Sequence, residues 1–259
     1  MGPLSRQELD AFVERGWTVL RGGFSREVAE AVVGALSLKC GTDLREASAW
    51  TGPFIWVKEA YSGSPWMEAV TPKFAQAMDQ LVGANRWEPH TEMGWWPIRL
   101  PGFQNPPFGA EGHAGDDWHI DGSFPHHLSS PEQAILNLFL FTDLEPGGGG
   151  TLLAEGSHLR VAQVLAEISP SAIDKDDLAE RVASSPGTFD SVAEPCGAAG
   201  DIVLAHPLML HSSSHNRGTR PRVMAQPRTD CFAPKRFDGE DLSPVETVLA
   251  RAVQGSNRP

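Results

Sequence analysis

The sequence predicts a mainly β protein with flanking α-helices, built as an antiparallel barrel or double-sheet jelly roll, and three observations carry that expectation. Short apolar stretches at Gly94 to Leu100, Ala134 to Phe141, Ile202 to Ala205 and Val223 to Arg228 are separated by Gly, Pro and Asp, the texture of strands and turns. Regular helices do not alternate with them, which disfavours a parallel α/β sheet. The best-capped helical patterns sit towards the two ends of the chain.

Each helix has a physical start signal. Ser5 with Glu8 forms a capping box, in which a small polar side chain accepts from an otherwise orphan backbone N–H. That helix is expected to reach about Arg15 and stop at Gly16, after which Trp17, Val19 and Leu20 read as a short strand. Ser25 opens a second helix through about Leu38. Thr71-Pro72 opens a third, ended by Gly83, because proline at the first helical position has no needed N–H to lose. The stretch from Ser157 to about Val182 interrupts the strands with helix, and Ser243, Pro244 and Glu246 mark a last one. One domain over 1–259 is expected, with a helical part near 1–85, a jelly-roll core near 86–232 and a C-terminal helix and tail near 233–259. The Gly- and Pro-rich piece from Pro101 to Gly115 is long for a loop and reads as a lid over a site.

Composition narrows the function classes. With 41% hydrophobic and 21% charged residues and no long apolar run, the 259-residue chain reads as globular, without a membrane span. Met1 to Asp10 turns polar at once and lacks the pattern of a secretory signal, so a cytoplasmic location is expected. Cys40, Cys196 and Cys231 are far apart and form no C-x-x-C pair, which reads as reduced thiols. Against 33 acidic residues stand 21 basic ones, a net charge of −12 that repels polyphosphate backbones and makes nucleic acid an unsuitable partner. No G-x-S-x-G hydrolase elbow is present, and the Gly147 to Gly150 run lacks the Lys-Ser or Lys-Thr of a phosphate loop. A small-molecule substrate is the expectation; the oligomeric state is not legible.

The chemistry-bearing residues lie in two clusters. An iron(II) centre that must bind both a chelating cosubstrate and O2 uses three protein ligands, two imidazoles and a carboxylate, and keeps adjacent positions open. In a strand, residues two apart face the same way, so His119 and Asp121 offer two ligands on one face. That spacing alone is weak, because nine histidines and 33 acidic residues make about one such pair by chance, and His90 with Glu92 is a second. The other cluster runs from His211 to Arg222 between two expected strands and combines further histidines with arginines, whose planar guanidinium suits a carboxylate. His206, His211 and His215 are the candidates for a third ligand. Arg217, Arg220 and Arg222 are the candidates for the anion clamp.

In these motifs the chain resembles the phytanoyl-CoA dioxygenase-like branch of the iron(II)/2-oxoglutarate oxygenases. Gly16 to Leu20 looks like the opening strand of that family and Trp118 to Gly122 like its first metal motif. Asn137 to Asp143, Gly147 to Thr151 and Gly156-Ser157-His158 are similar to its central strand, turn and corner, with Glu155 standing where proline is usual. His211, Ser213, Asn216 and Arg222 match its last motif, including the 11-residue step from histidine to arginine (222 − 211).

The resemblance implies a double-stranded β-helix, a cupin-like jelly roll, with His119, Asp121 and His211 as catalytic metal ligands for iron(II). It implies 2-oxoglutarate anchored by Arg222 with help from Ser213 and Thr151, and O2 as oxidant. The implied reaction is oxidation, first of all hydroxylation, of a small organic molecule such as a secondary-metabolite intermediate, with release of succinate and CO2. Desaturation or ring closure would share the same start, while the retained Asp121 argues against halogenation. Two other classes compete: a cupin-type isomerase or dioxygenase without cosubstrate, and a non-catalytic ligand-binding jelly roll. Either would leave Arg222 and Ser213 without a task. His126 and His127 are candidates for the substrate pocket, and the tryptophans of the first half read as core, with one or two walling that pocket.

Overall fold

A computed structural model describes residues 2–103, 118–183 and 191–256. In chain order the elements are α1 (Arg6–Arg15), β1 (Trp17–Leu20), α2 (Arg26–Cys40), β2 (Phe54–Tyr61), α3 (Pro72–Leu81), β3 (Met93–Arg99), β4 (Leu136–Leu140), β5 (Thr151–Glu155), α4 (Ser157–Ile168), α5 (Lys175–Ala183), β6 (Ser191–Ala193), β7 (Ile202–Ala205), β8 (His211–Ser213), β9 (Met224–Ala225) and α6 (Pro244–Ser256). The expected caps are present: Ser5 accepts from Glu8 N while Glu8 returns the bond, and Ser25 and Thr71 cap α2 and α3. Ser243 and Glu246 make the same reciprocal pair before α6.

The helical stretch expected from Ser157 to about Val182 is present as two helices, α4 and α5. Ser169 is held extended (φ −55°, ψ 136°) in front of Pro170, as the proline ring disfavours a helical residue before it. The chain restarts at α5 with Asp174 accepting from Asp176 N. Strand β2 had no clear period in the sequence and forms because β3 pairs with it. The long Gly/Pro-rich piece expected as a lid falls mainly on 104–117, outside the described residues.

The strands form two facing layers. The larger has the antiparallel order β1-β7-β4-β9. On its β9 edge, Arg99 and Arg222 exchange backbone hydrogen bonds of 3.0 and 2.8 Å, and Gln226 N donates to Gly94 O and Trp95 O. The β2–β3 pair therefore extends the same layer. The smaller layer has the order β6-β5-β8, and His119 bridges to the free side of β8.

Side chains alternate across the larger layer and sort into two cores. Leu136, Leu138, Leu140, Val203 and Met224 point inward and meet Leu153 of the smaller layer. Phe139, Leu204, Ile202 and Ala225 point outward and pack beneath α2 and α3, against residues such as Leu36, Phe74 and Met78. A third cluster joins α4, α5 and α6 behind the smaller layer through Ala154, Leu165, Leu178 and Val248. Each fully buried Leu or Phe contributes about 2 kcal/mol before its ordering cost. Two layers so braced hold the ends of β8 and β9 in place, and the site lies there.

Candidate metal centre

His119 and His211 are joined by a closed pair of backbone hydrogen bonds, each N–H donating to the other residue's carbonyl at 2.9 Å. Directly opposed residues of an antiparallel pair present their side chains on one face. The two imidazoles accordingly lie with centroids 4.4 Å apart and planes inclined by 52°. Asp121, two residues beyond His119, falls on the same face. Its Oδ1 is 3.6 Å from His119 Nε2 and 3.4 Å from His211 Nε2. Among the described residues these three form the group whose ligand atoms converge, all within 4.8 Å of one another. Gly122 follows at φ 110°, and a Cβ there would strike the Phe124 ring, so glycine is required for the chain to turn away directly after the carboxylate.

The surroundings set which atoms face the centre. His211 Nδ1 lies 3.0 Å from Met209 O. That carbonyl makes Nδ1 the protonated nitrogen and leaves the Nε2 lone pair facing Asp121. The second oxygen of Asp121 is engaged elsewhere: Oδ2 accepts a short bond from Gln226 Nε2 and another at 3.4 Å from Gln133 Nε2. Burial pushes the Asp121 carboxyl up, but the adjacent His211 and His119 outweigh it and hold the group well below the usual carboxylate range. Two imidazole nitrogens and one carboxylate oxygen aimed at a common point are the donor set of a facial-triad iron(II) site, with room for further ligands.

A second feature lies on the facing layer. Residues 222, 224 and 226 alternate in step, so Arg222, Met224 and Gln226 share the inner side of the larger layer, spanning roughly 13 Å of extended chain. Gln226 touches Asp121 at one end. At the other, Arg222 is buried, and among the described residues its Nε and Nη1 have no acceptor. Burial pushes the guanidinium pKa down to about 9, the neighbouring Arg99 adds to this, and Glu194 opposes it. Glu194 is itself committed to Gly147 N and Gly150 N at 2.8 and 2.7 Å. A buried cation with unmet donors is costly. An anionic carboxylate fits it by charge and hydrogen-bond count, which is the requirement for the far end of 2-oxoglutarate.

Ser213 and Thr151 are cross-strand partners in register with this face, two residues from His211 and from Leu153 respectively. Thr151 Oγ1 is 4.0 Å from Met224 Sδ, so both lie between the triad and Arg222.

The remaining candidates are placed elsewhere. Nδ1 of the fully buried His206 accepts from Leu208 N and its Nε2 faces Val245 O, which leaves no nitrogen for a metal. His215 is buried apart from the converging group. Arg220 turns outward to Asp143 at 3.0 Å, and Arg217 is exposed. His90 lies on the outer face, stacked on Phe74 and bonded to Thr229 Oγ1 at 2.9 Å, and burial lowers its pKa to about 4. His158 caps no site; it is buried with Nε2 on Val13 O. Glu155, the departure from the family pattern, accepts from Trp17 Nε1 and Ser191 Oγ, a turn contact remote from the chemistry. His126 and His127 line a cleft with Phe124, Gln133 and Lys235, and Gln133 is shared with Asp121.

Gln226, Gln133 and Arg99 are site residues that the sequence did not single out. Gln226 had a signal, because it repeats the alternation of Arg222 four residues on. Gln133 had none: it reaches Asp121 from a turn at φ 56°, held by Asp230 Oδ1 on its N–H.

A two-layered jelly roll that gathers two histidines and an aspartate at one end of its inner surface, with a buried arginine further along it, defines the class of mononuclear non-haem iron oxygenases. The family model "Phytanoyl-CoA dioxygenase (PhyH)" matches residues 16–224. The chain therefore belongs to the phytanoyl-CoA dioxygenase family, within the iron(II)/2-oxoglutarate-dependent oxygenases.

Solved structures agree on the fold. The non-haem α-ketoglutarate-dependent epimerase SnoN from nogalamycin biosynthesis aligns over 86% of this chain and 82% of its own, with TM-score 0.54 at 18% identity. The carbocyclase SnoK of the same biosynthesis aligns over 88% and 84%, with TM-score 0.53 at 17% identity. EvdO2 from Micromonospora carbonacea var. aurantiaca aligns over 94% and 96%, with TM-score 0.53 at 14% identity. At such identities the likeness establishes the double-stranded β-helix core. A search of curated protein sequences found no match. Among the described residues, no helix is long and apolar enough to cross a membrane.

Proposed function

We propose that this protein holds iron(II) through His119 Nε2, Asp121 Oδ1 and His211 Nε2, anchors 2-oxoglutarate on Arg222, and hydroxylates a small organic substrate with release of succinate and CO2. A secondary-metabolite intermediate is the substrate type proposed. One observation carries the reading: the buried Arg222 guanidinium has donors unmet among the described residues, on the inner face of the layer opposite the converging triad. A metal site without cosubstrate would leave that cost unexplained.

Bound iron(II), 2-oxoglutarate and O2 would supply the oxidation itself, two electrons coming from decarboxylation of the cosubstrate and two from the substrate. The chain's own part is binding and orientation. Met209 O fixes the His211 tautomer, and Gln226 with Gln133 retains Asp121 Oδ2, so that the carboxylate offers Oδ1 alone. Arg222 sets the distance of the cosubstrate from the metal by a charge-assisted pair at its far carboxylate, with Ser213 and Thr151 beside its path. The walls of Leu140, Leu153 and Met224 keep water from that path.

The test is to add iron(II) and 2-oxoglutarate anaerobically and record the visible charge-transfer band. The wild type is expected to show it, His211→Ala to lose it, and Arg222→Ala to require far more 2-oxoglutarate. A wild type that binds iron with no spectral response to 2-oxoglutarate overturns the assignment of Arg222.

A further inference from the structure

We infer that the inner face of β2 and β3 is the substrate platform, and that Trp56 and Trp95 select a molecule bearing a flat ring with an apolar face. The inference rests on the placement of the metal centre above and adds a substrate class to it. Three observations converge.

The first is a continuous aromatic ladder that starts at the anion clamp. Arg99, the cross-strand partner of Arg222, lies over the Phe54 ring at 4.3 Å. Phe54 meets Trp56 edge-on at 5.5 Å, and Trp56 meets Trp95 at 6.4 Å with planes inclined by 84°. Because Arg99 and Arg222 are directly paired, this is the inner face of the layer, the one that also carries Gln226. The intervening residues Val57, Trp96 and Ile98 point the other way, into the core under the helices.

The second is exposure. Trp56 is 47% and Trp95 48% exposed, while Trp66, Trp87 and Trp96 are buried. Two adjacent indoles left open to water form an apolar surface with a purpose other than packing. Their perpendicular setting makes a corner. A flat ring stacked on one indole turns its electropositive edge towards the face of the other, the two arrangements aromatic rings prefer.

The third is backbone strain at Trp95 itself. Trp95 has φ 57°, a region that bulky side chains rarely enter. It sits where the β2–β3 register shifts between Val57 and Ala60. Gly94 before it is pressed against Ala60, where a Cβ would come within 2.5 Å. The bulge turns the indole out onto the open face. Its carbonyl, with that of Gly94, accepts from Gln226 N, and the Gln226 side chain holds Asp121. The strained residue is thus one hydrogen-bonded neighbour from Asp121, which ties the platform to the proposed centre.

The experiment uses the full chain with iron(II) and 2-oxoglutarate under anaerobic conditions and 2-naphthol as the probe, its binding followed by calorimetry and the metal site by the charge-transfer band. Trp56→Ala and Trp95→Ala are each expected to weaken 2-naphthol binding about tenfold, with the Trp56→Ala band unchanged. Leu38→Ala, which removes an 86% exposed side chain on the far end of α2, is expected to bind as wild type. Equal binding by Trp56→Ala and wild type, or absence of binding by the wild type, overturns the platform. A wild type that binds 2-naphthol yet shows no charge-transfer band supports the platform and sinks the cosubstrate reading instead, so the two failures are distinguishable.

Discussion

The two faces of the larger sheet are made by the same strands and have opposite purposes. On the outer face the apolar side chains are sealed, with Phe139 and Leu204 packed under α2 and α3. Even its polar residues close on one another, Asn137 donating to Thr229 Oγ1 at 2.9 Å and Thr229 in turn meeting His90. On the inner face, towards β9, β3 and β2, packing gives way to Arg222, with donors unmet among the described residues, and to two open indoles, and this face looks across at the aspartate and two imidazoles held by the smaller layer. Stability lies in the first face and binding capacity in the second, as strained or unsatisfied groups persist only where a braced scaffold holds them.

The largest effect that would break this contrast is in the packing. Phe139→Ala is expected to lower unfolding free energy by about 3–5 kcal/mol through lost burial and an unfilled cavity, read by denaturant titration. Arg222→Met is expected to move the other way, keeping or raising the stability of the metal-free protein by about 1–3 kcal/mol because an unpaired buried charge is removed, while 2-oxoglutarate binding disappears. Destabilisation by Arg222→Met comparable to that of Phe139→Ala would show that the arginine is structural and the two faces are alike.

Acid sharpens the same comparison. His90 titrates near 4 in the folded chain because burial disfavours its charged form. In the unfolded chain it titrates near 6.5. Below 6.5 the unfolded state therefore takes up the proton that the folded state refuses, and stability falls between pH 6.5 and 4 by up to about 3 kcal/mol from this residue. His90→Asn is expected to flatten that part of the stability–pH curve; an unchanged slope would show that the outer face does not hold the imidazole neutral.

The last and weakest effect is at the second oxygen of Asp121, the proposed metal carboxylate. Gln226→Leu should leave folding nearly unaltered and weaken iron(II) affinity about tenfold to a hundredfold, the usual consequence of losing an outer partner of a ligand. Metal affinity equal to wild type would mean that Gln133 alone suffices to direct Asp121.

Much of the fold was legible because its signals are local. The Ser5–Glu8 box, the Thr71-Pro72 start and the Ser243–Glu246 pair each depend on residues within one turn, and all three stand in the structure. The helical interruption expected from Ser157 to about Val182 is present, divided into α4 and α5 at Pro170. In the site, His119 and Asp121 followed from the two-residue period of extended chain. His211 and Arg222 followed from motif likeness, since strand spacing by itself left His206, His215 and Arg220 open.

Most helix caps, and the alternation that puts His119 with Asp121 and Arg222 with Gln226 on common faces, were set locally, because they depend on neighbours a few bonds away. Packing across the chain was needed to form β2 against β3, to pair His119 with His211 across 92 positions (211 − 119), to bring Gln133 to Asp121 from a strained turn, and to leave Trp95 open while Trp96 beside it is buried. Those outcomes depend on which strand edges meet, and strand pairing is set by the packing of all three apolar clusters at once rather than by any stretch of chain alone.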